Sequence, residues 1–166
     1  MARRREVRHH HAEAVDAGRV IVNVQVVAAT LYGVAAVVLF DGDCAVCEAA
    51  VRFVLVRDRQ GLFTFARQDG QIGRGLLARH GLSGERGRSL ILLQDGGAFL
   101  RSEAVLRIAR ALPGTRWLAA AARLVPRSWR DAAYDQFVRY RHRLVTAPPR
   151  RCLALPPELR ARLLDP

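Results

Sequence analysis

The chain has 166 residues, of which 51% are hydrophobic, so it is long enough to form one domain with a substantial core. Its net charge of +12 comes from 27 basic residues, all of them arginine; this is typical of a GC-rich genome and does not by itself indicate nucleic-acid binding. Three cysteines are too few for the disulfide scaffold of a small secreted protein, so redox or metal chemistry is the better interpretation.

Residues 1–35 are predicted to be an N-terminal extension that is either disordered or forms an extra strand. Residues 20–40 are mostly apolar and about as long as a membrane span, but polar residues interrupt them. The alternating valines at the start of this stretch are typical of a β-strand, so a membrane anchor is the less favoured interpretation. Because the sequence carries no convincing export signal, we expect a cytoplasmic protein.

From residue 36 the pattern alternates between strands and helices. The apolar run that ends at Phe40 is typical of a strand buried on both faces, and the helix predicted after it ends near Gly61. Residues 62–68 are rich in β-formers, and the helix before them makes this second strand parallel to the first. A second helix, closed by Gly81, and a hairpin with its turn at residues 95–97 come next.

The remainder of the chain is predicted to be nearly all helical. Ser102 is a candidate N-cap for a helix over residues 103–112, which Pro113 and Gly114 end. The predicted order is therefore β-α-β-α-β-β-α, an α/β fold, with a C-terminal helical extension from about residue 115. We assign residues 36–166 to one domain that includes this extension.

Cys44 and Cys47 follow the first strand and stand one helical turn apart. Cys44 is expected in the first turn of the helix, where free amides and the helix dipole can lower a thiol pKa from ~8.5 towards ~7. Cys47 is expected one turn deeper and shielded by the helix. Cys44 would then attack a substrate disulfide, and Cys47 would release the reduced product.

Two aspartates beside the cysteine pair complicate its electrostatics. Asp43 opposes formation of a Cys44 thiolate unless its carboxylate caps the helix or faces water. Asp41, at the end of the strand, is a candidate general base that takes the proton from Cys47 as that thiol attacks. For each aspartate, simple capping of the helix is an equally good interpretation.

Metal binding is an alternative role for the cysteine pair. Paired thiolates after a first strand also bind soft Cu(I), but Gly42 stands where the metal-trafficking domains with an MxCxxC motif have methionine. A structural zinc site needs four ligands, and Cys152, His80 and His142 show no ligand spacing. We therefore expect no metal and no cofactor, and we interpret Cys152 as a free or buried thiol.

A basic binding module is a second alternative. The arginine-rich helices of residues 110–151 contain four aromatic residues that could meet nucleic acid or anionic lipid: Trp117, Trp129, Tyr134 and Tyr140. The helical spacing of these aromatics suits packing against the core, and some arginines have acidic partners four residues away. A solvated basic face is therefore favoured, with nucleic acid and membrane as less favoured partners.

The motif FDGDCAVC resembles the DxxCxxC signature of the DCC family of thiol-disulfide oxidoreductases. Similar blocks continue over residues 36–165, among them LRSEAVLRIARAL and LVPRSWRDAAYDQFVRYRHR. The resemblance implies a thioredoxin-like, three-layer fold around a mixed sheet and redox roles for Asp41, Cys44 and Cys47. It also implies a disulfide-containing protein or small-thiol substrate and an external thiol reductant. Ser89 is a departure, since thioredoxin-like proteins usually place a cis-proline before the third strand.

Overall fold

The computed structural model describes residues 36–144 and 157–164. The strands in this part of the chain are β1 (Ala36–Phe40), β2 (Phe63–Arg67), β3 (Ile91–Gln94) and β4 (Gly97–Leu100). The helices are α1 (Ala45–Arg57), α2 (Gln71–Arg79), α3 (Arg101–Ala111), α4 (Arg116–Ala122), α5 (Arg127–Leu144) and α6 (Pro157–Arg160). The predicted β-α-β-α-β-β-α order and the helices that follow it are confirmed.

The four strands form one mixed sheet in the order β2-β1-β3-β4. β1 is parallel to β2, as the intervening helix predicts, and antiparallel to β3, which pairs in turn with β4. The register places Phe40 opposite Arg67 and Leu39 opposite Ile91. This topology is that of a thioredoxin-like fold followed by C-terminal helices, and it makes β1 a central strand.

Helices cover both faces of the sheet, which gives the predicted three layers. Val38 and Phe40 of β1 point into a core that includes residues from α1 and α3, whereas Leu39 points to the opposite face and packs with α2. Because both faces of β1 are buried, its sequence is apolar without alternation. The end of β1, where the loop to Cys44 begins, is therefore held in place by packing on both faces of the sheet.

The hydroxyl of Ser102 joins α3 to the helical extension. The predicted N-cap role of Ser102 is wrong: Leu100 occupies that position, and Ser102 lies inside the first turn and donates a hydrogen bond to the Asp131 carboxylate of α5. A second link runs from the backbone amide of Leu90 to the hydroxyl of Tyr134, at 2.8 Å. These contacts fix α5 against the sheet domain.

The aromatic residues of the extension have different environments. Tyr134 is partly buried against the loop before β3, as its helical spacing predicts. The expectation that Trp117 and Trp129 also pack against the core is wrong, because both side chains are exposed. One of the predicted arginine–acid pairs four residues apart is present: Nε of Arg127 lies 3.4 Å from Oδ2 of Asp131.

The segment after α6 runs beside β2, the edge strand of the sheet. Phe65 donates its backbone N–H to the carbonyl of Arg162 and accepts a hydrogen bond from the amide of Leu164. The Arg162 guanidinium pairs with the buried carboxylate of Asp58, which also accepts the amides of the β2 entry. This segment covers the open edge of β2 with backbone hydrogen bonds.

Some predictions concern residues outside the described ranges. They include the N-terminal extension of residues 1–35 and Cys152. Within residues 36–144 and 157–164, no helix has the length and apolar character needed to cross a membrane.

The close approach of α2 to the end of β2 predicts opposite effects for two nearby glycines. A Cβ at Gly73 would lie 1.8 Å from the carbonyl oxygen of Arg67, so Gly73→Ala should lower the free energy of unfolding by about 2–3 kcal/mol. Gly75→Ala is the matched control: a Cβ there meets nothing within 4 Å, and the change should stabilise the helix by about 0.5–1 kcal/mol. Chemical denaturation measures both changes, and equal stabilities would contradict this packing.

Candidate active site

The loop from β1 into α1 places Cys44 at the N-cap of the helix. Its backbone is extended, and its Sγ accepts a hydrogen bond from the amide of Cys47 at 3.4 Å. The helix is therefore capped by the cysteine itself and by neither Asp41 nor Asp43, so the capping interpretation of these aspartates is wrong. Asp43 instead lies at the surface, 3.7 Å from the Arg67 guanidinium.

The two thiols are free and interact with each other. Burial and, next in size, a hydrogen bond with the Cys44 side chain together raise the pKa of the Cys47 thiol to about 12. Cys47 is therefore protonated at neutral pH. The Cys44 sulfur thus accepts the backbone N–H of Cys47 and also contacts the Cys47 thiol.

The exposure of the two cysteines is the reverse of the expected order. Cys44 is 2% exposed, whereas Cys47 is only partly buried. The physical reason is the N-cap position: Cys44 comes soon after the buried strand β1, and its side chain turns inward to the amide of Cys47. The Cys44 sulfur can therefore be reached from outside only when the groups that cover it move.

Arg141 of α5 completes the site, and sequence reasoning missed it. Its side chain is 3% exposed. Its Nη2 lies 2.5 Å from Oδ2 of Asp41 and 2.6 Å from the carbonyl oxygen of Gly87, and its Nη1 lies 3.2 Å from Sγ of Cys47. One guanidinium therefore joins the β1 loop, α1 and the loop before β3.

Asp41 lies beside the cysteine pair, and its environment differs from that of an isolated base. One carboxylate oxygen pairs with Arg141, and the other accepts the backbone N–H of Asp43 at 3.1 Å. Asp41 and Cys47 contact the same guanidinium. The positive charge of Arg141 lowers the pKa of the Cys47 thiol, whereas the negative charge of Asp41 raises it.

A signal for Arg141 is present in the sequence. Tyr134 and Arg141 are seven residues apart, so they share one face of α5. Tyr134 faces the loop before β3, and burial raises the pKa of its hydroxyl. An arginine on the same face as a buried tyrosine predicts a buried acidic partner, but the periodicity does not tell which one.

The loop that precedes β3 is held by the buried side chain of Gln68. Its Nε2 donates to the carbonyls of Leu39 and Ser89, at 3.1 and 2.6 Å, and its Oε1 accepts the Gly87 amide at 2.7 Å. This loop occupies the place where thioredoxin-like proteins usually present a cis-proline. None of the described residues follows a cis peptide bond. Gln68 thus orients the Gly87 carbonyl that Arg141 binds.

Gly42 allows Arg67 to lie across the loop beside the cysteines. A Cβ at Gly42 would lie 2.4 Å from Nε of Arg67. The guanidinium also pairs with Asp69 at 2.8 Å. Arg67 is partly exposed, so it places a positive charge at the surface beside the site.

The structure gives no additional ligand set for a metal among the residues it describes. Within residues 36–144 and 157–164, no three or more His, Cys, Asp or Glu side chains are grouped so that they could hold a metal ion.

Comparison with known proteins places these residues in a family. The profile of the DCC1-like thiol-disulfide oxidoreductase family matches residues 38–147, more than half of the chain. The chain belongs to the DCC1-like family. The matched range contains Asp41, Cys44, Cys47 and Arg141, and the family name describes chemistry that a free, adjacent thiol pair can carry out.

Two relatives extend this comparison. The chain is 31% identical to the uncharacterized protein YuxK of Bacillus subtilis (strain 168) over 128 residues, which cover 77% of this chain and 93% of YuxK. It is 35% identical to the chloroplastic DCC family protein At1g52590 of Arabidopsis thaliana over 72 residues, which cover 43% of this chain and 42% of that one. No solved structure matches the chain significantly.

Cys47 should hold its proton well above neutral pH. Because the fold raises the pKa of this thiol to about 12, its alkylation by iodoacetamide at pH 8 should be at least about 10²-fold slower than in the denatured chain, where a cysteine has a pKa of ~8.5. The stability linked to this proton is fully present below the unfolded pKa and is lost as the pH rises towards the folded value. Peptide-level mass spectrometry measures the rates, and similar rates in folded and denatured protein would contradict the raised pKa.

Proposed function

We propose that this protein is a thiol-disulfide oxidoreductase in which Cys44 is the nucleophile and Cys47 the resolving thiol. The observation that carries the proposal is the asymmetry of the pair. Cys44 accepts hydrogen bonds at a helix N-terminus, whereas Cys47 keeps its proton and contacts Arg141. The membership of the chain in the DCC1-like family supports the same chemistry.

In the first step, the Cys44 thiolate attacks one sulfur of the substrate disulfide. A bond forms between Cys44 Sγ and that sulfur, and the substrate disulfide bond breaks. The second substrate sulfur leaves as a thiolate and takes a proton from water. Because Cys44 is buried, the groups around the loop of residues 41–43 must move to admit the substrate.

In the second step, Cys47 loses its proton and attacks Cys44 Sγ. The mixed disulfide breaks, the second substrate thiolate is released, and a Cys44–Cys47 disulfide forms. Two electrons have then passed from the dithiol to the substrate. Once Cys44 is in a mixed disulfide, its negative charge no longer raises the pKa of Cys47, so Cys47 ionises more readily at this stage than before it.

Asp41 and Arg141 act on this second step in our proposal. Arg141 Nη1, 3.2 Å from Cys47 Sγ, stabilises the thiolate as it forms. Asp41 accepts the proton that Cys47 loses, and its ion pair with Arg141 keeps its carboxylate beside the thiol. Arg141 is thus the positioning partner of Asp41 and the electrostatic partner of Cys47.

The substrate in this proposal is a disulfide-containing protein or small-molecule disulfide. An external thiol reductant must restore the dithiol after each turnover by the reverse exchange chemistry. We propose the reductive direction because a cytoplasmic location, predicted from the sequence, would supply such thiols.

Trapping tests the assignment of the two cysteines. Cys47→Ser should accumulate covalent mixed disulfides with a model disulfide such as oxidised glutathione, because Cys44 can still attack but nothing resolves the adduct. Cys44→Ser is the matched control and should accumulate at most about one tenth as much adduct under the same conditions. Intact-mass spectrometry counts the adducts. More adduct on Cys44→Ser than on Cys47→Ser would reverse the assignment, and no adduct on either would reject the proposed function.

Substitution of Asp41 separates its action as a base from a purely electrostatic one. If Asp41 accepts the Cys47 proton, Asp41→Asn should slow release of the mixed disulfide by about 10²-fold and leave its formation nearly unchanged. If Asp41 acts only through its charge, the same change should lower the pKa of Cys47 and speed the release. Asp43→Asn, which changes the exposed neighbouring acid, is the control. Stopped-flow measurement of product release reads the sign, and faster release would contradict the base role.

A further inference from the structure

An exposed group of apolar side chains lies where α4 turns into α5. We call it the apolar tip, and its members are Trp117, Leu118, Leu124, Val125 and Trp129. Leu124 is 88% exposed, and Trp129 and Trp117 are 73% and 68% exposed. A concentration of exposed large apolar side chains in one short segment indicates an interaction surface, because such side chains are normally scattered singly over a protein surface.

The orientation of the apolar tip is fixed by contacts on the opposite side of α4. Ala119 is buried where α4 packs on α3. The Thr115 hydroxyl donates to the carbonyl of Ala109 at 2.6 Å, which ties the start of α4 to α3. Arg130 Nε donates to the carbonyl of Val125 at 3.1 Å and closes the turn between the helices. These contacts hold the turn between α4 and α5 in place, so the side chains of the apolar tip face solvent.

The charged residues within the segment that carries the apolar tip all have the same sign. Residues 116–130 contain four arginines and no acidic residue. Arg123 is exposed, and the Arg127 side chain is 70% exposed. The first acidic residue, Asp131, is mostly buried and already holds Arg127 and Ser102. The segment thus combines exposed apolar side chains with exposed arginines.

We propose that the apolar tip docks on the surface of an anionic lipid bilayer. Tryptophan is enriched at the membrane interface, aliphatic residues enter the acyl boundary, and arginines pair with anionic headgroups. A second copy of this face would bring like charges together, which opposes self-association. Nucleic acid could bind the arginines and stack on the tryptophans. The most exposed side chain of the tip, Leu124, is aliphatic, however, and can neither stack on a base nor bind a phosphate.

The apolar tip and the thiol site lie on the same helix. Trp129 is in the first turn of α5, and Arg141 is twelve residues later, which corresponds to about 18 Å along the helix axis. Docking at the tip would hold the cysteine pair at a fixed distance from the bilayer. The pair could then react with disulfides of molecules at or near the membrane surface. The docking itself rests on the exposed tip and is independent of the redox proposal.

The test uses the full chain and its own fluorescence. The chain has two tryptophans, and both belong to the apolar tip, so their emission reports this surface directly. We expect a blue shift and sedimentation with vesicles of phosphatidylcholine and phosphatidylglycerol, weakened by salt, and little response to phosphatidylcholine alone. Arg123→Gln and Arg127→Gln should each lower vesicle affinity about fivefold.

A matched pair of variants decides whether the tip is responsible. Leu124→Glu should lower affinity for the anionic vesicles by about tenfold or more, because its side chain would no longer enter the bilayer. Val56→Glu, at an exposed apolar position of α1, is the control and should bind like the unmodified chain. Equal binding by these two variants, or no emission change with anionic vesicles, would overturn the proposal. So would a blue shift that depends on protein concentration alone, which indicates a second copy, or a tighter response to DNA than to vesicles.

Discussion

The buried ion pair between Arg141 and Asp41 joins the end of the fold to its beginning. The two residues are one hundred positions apart, and their contact ties α5 to the loop after the central strand. Removal of one partner from such a pair would leave an unpaired buried charge, which typically costs about 3–5 kcal/mol. The pair is nevertheless weak evidence for stability, because an apolar pair of similar volume can be as stable. Nε of Arg141 is also buried and has no hydrogen-bond partner among the described residues. The position of Arg141 is therefore better explained by its contact with the Cys47 thiol than by a gain in stability.

That contact shapes the difference between the two cysteines. Burial alone would keep Cys47 protonated throughout the reaction, and a thiol that cannot ionise cannot resolve a mixed disulfide. Arg141 is the one group among the causes of this pKa that lowers it. Cys44 depends on a different contact, since its sulfur accepts the backbone N–H of Cys47 in the first turn of α1. The two sulfurs therefore have different partners. Cys44 contacts the first turn of α1, and Cys47 contacts Arg141 of the C-terminal helical extension.

Much of the fold could be predicted from the sequence, because local patterns specify it. The apolar run before the cysteines indicated a buried strand, and the helix after it required a parallel second strand. The Asp95-Gly96 turn indicated the hairpin. Cys44, Cys47 and Asp41 lie together because they are neighbours in sequence at the end of one strand. Arg141 could not be assigned in this way, since helical periodicity defines a face and does not identify the element opposite it.

The exposure errors have the same origin. The expectation that Cys44 is reachable assumed that a residue at a helix start faces solvent, but its cap hydrogen bond turns the side chain inward. The expectation that Trp117 and Trp129 are buried assumed that aromatics at helical spacing face the core. In α4 the inward position is taken by Ala119, a small residue that lets the helix lie close to α3, and the large side chains remain on the other face. A helix that buries its small residues and exposes its large ones needs another surface to cover them. Under the proposed docking, the bilayer is that surface, and the helix α5 then spans from the membrane to the guanidinium that contacts Cys47.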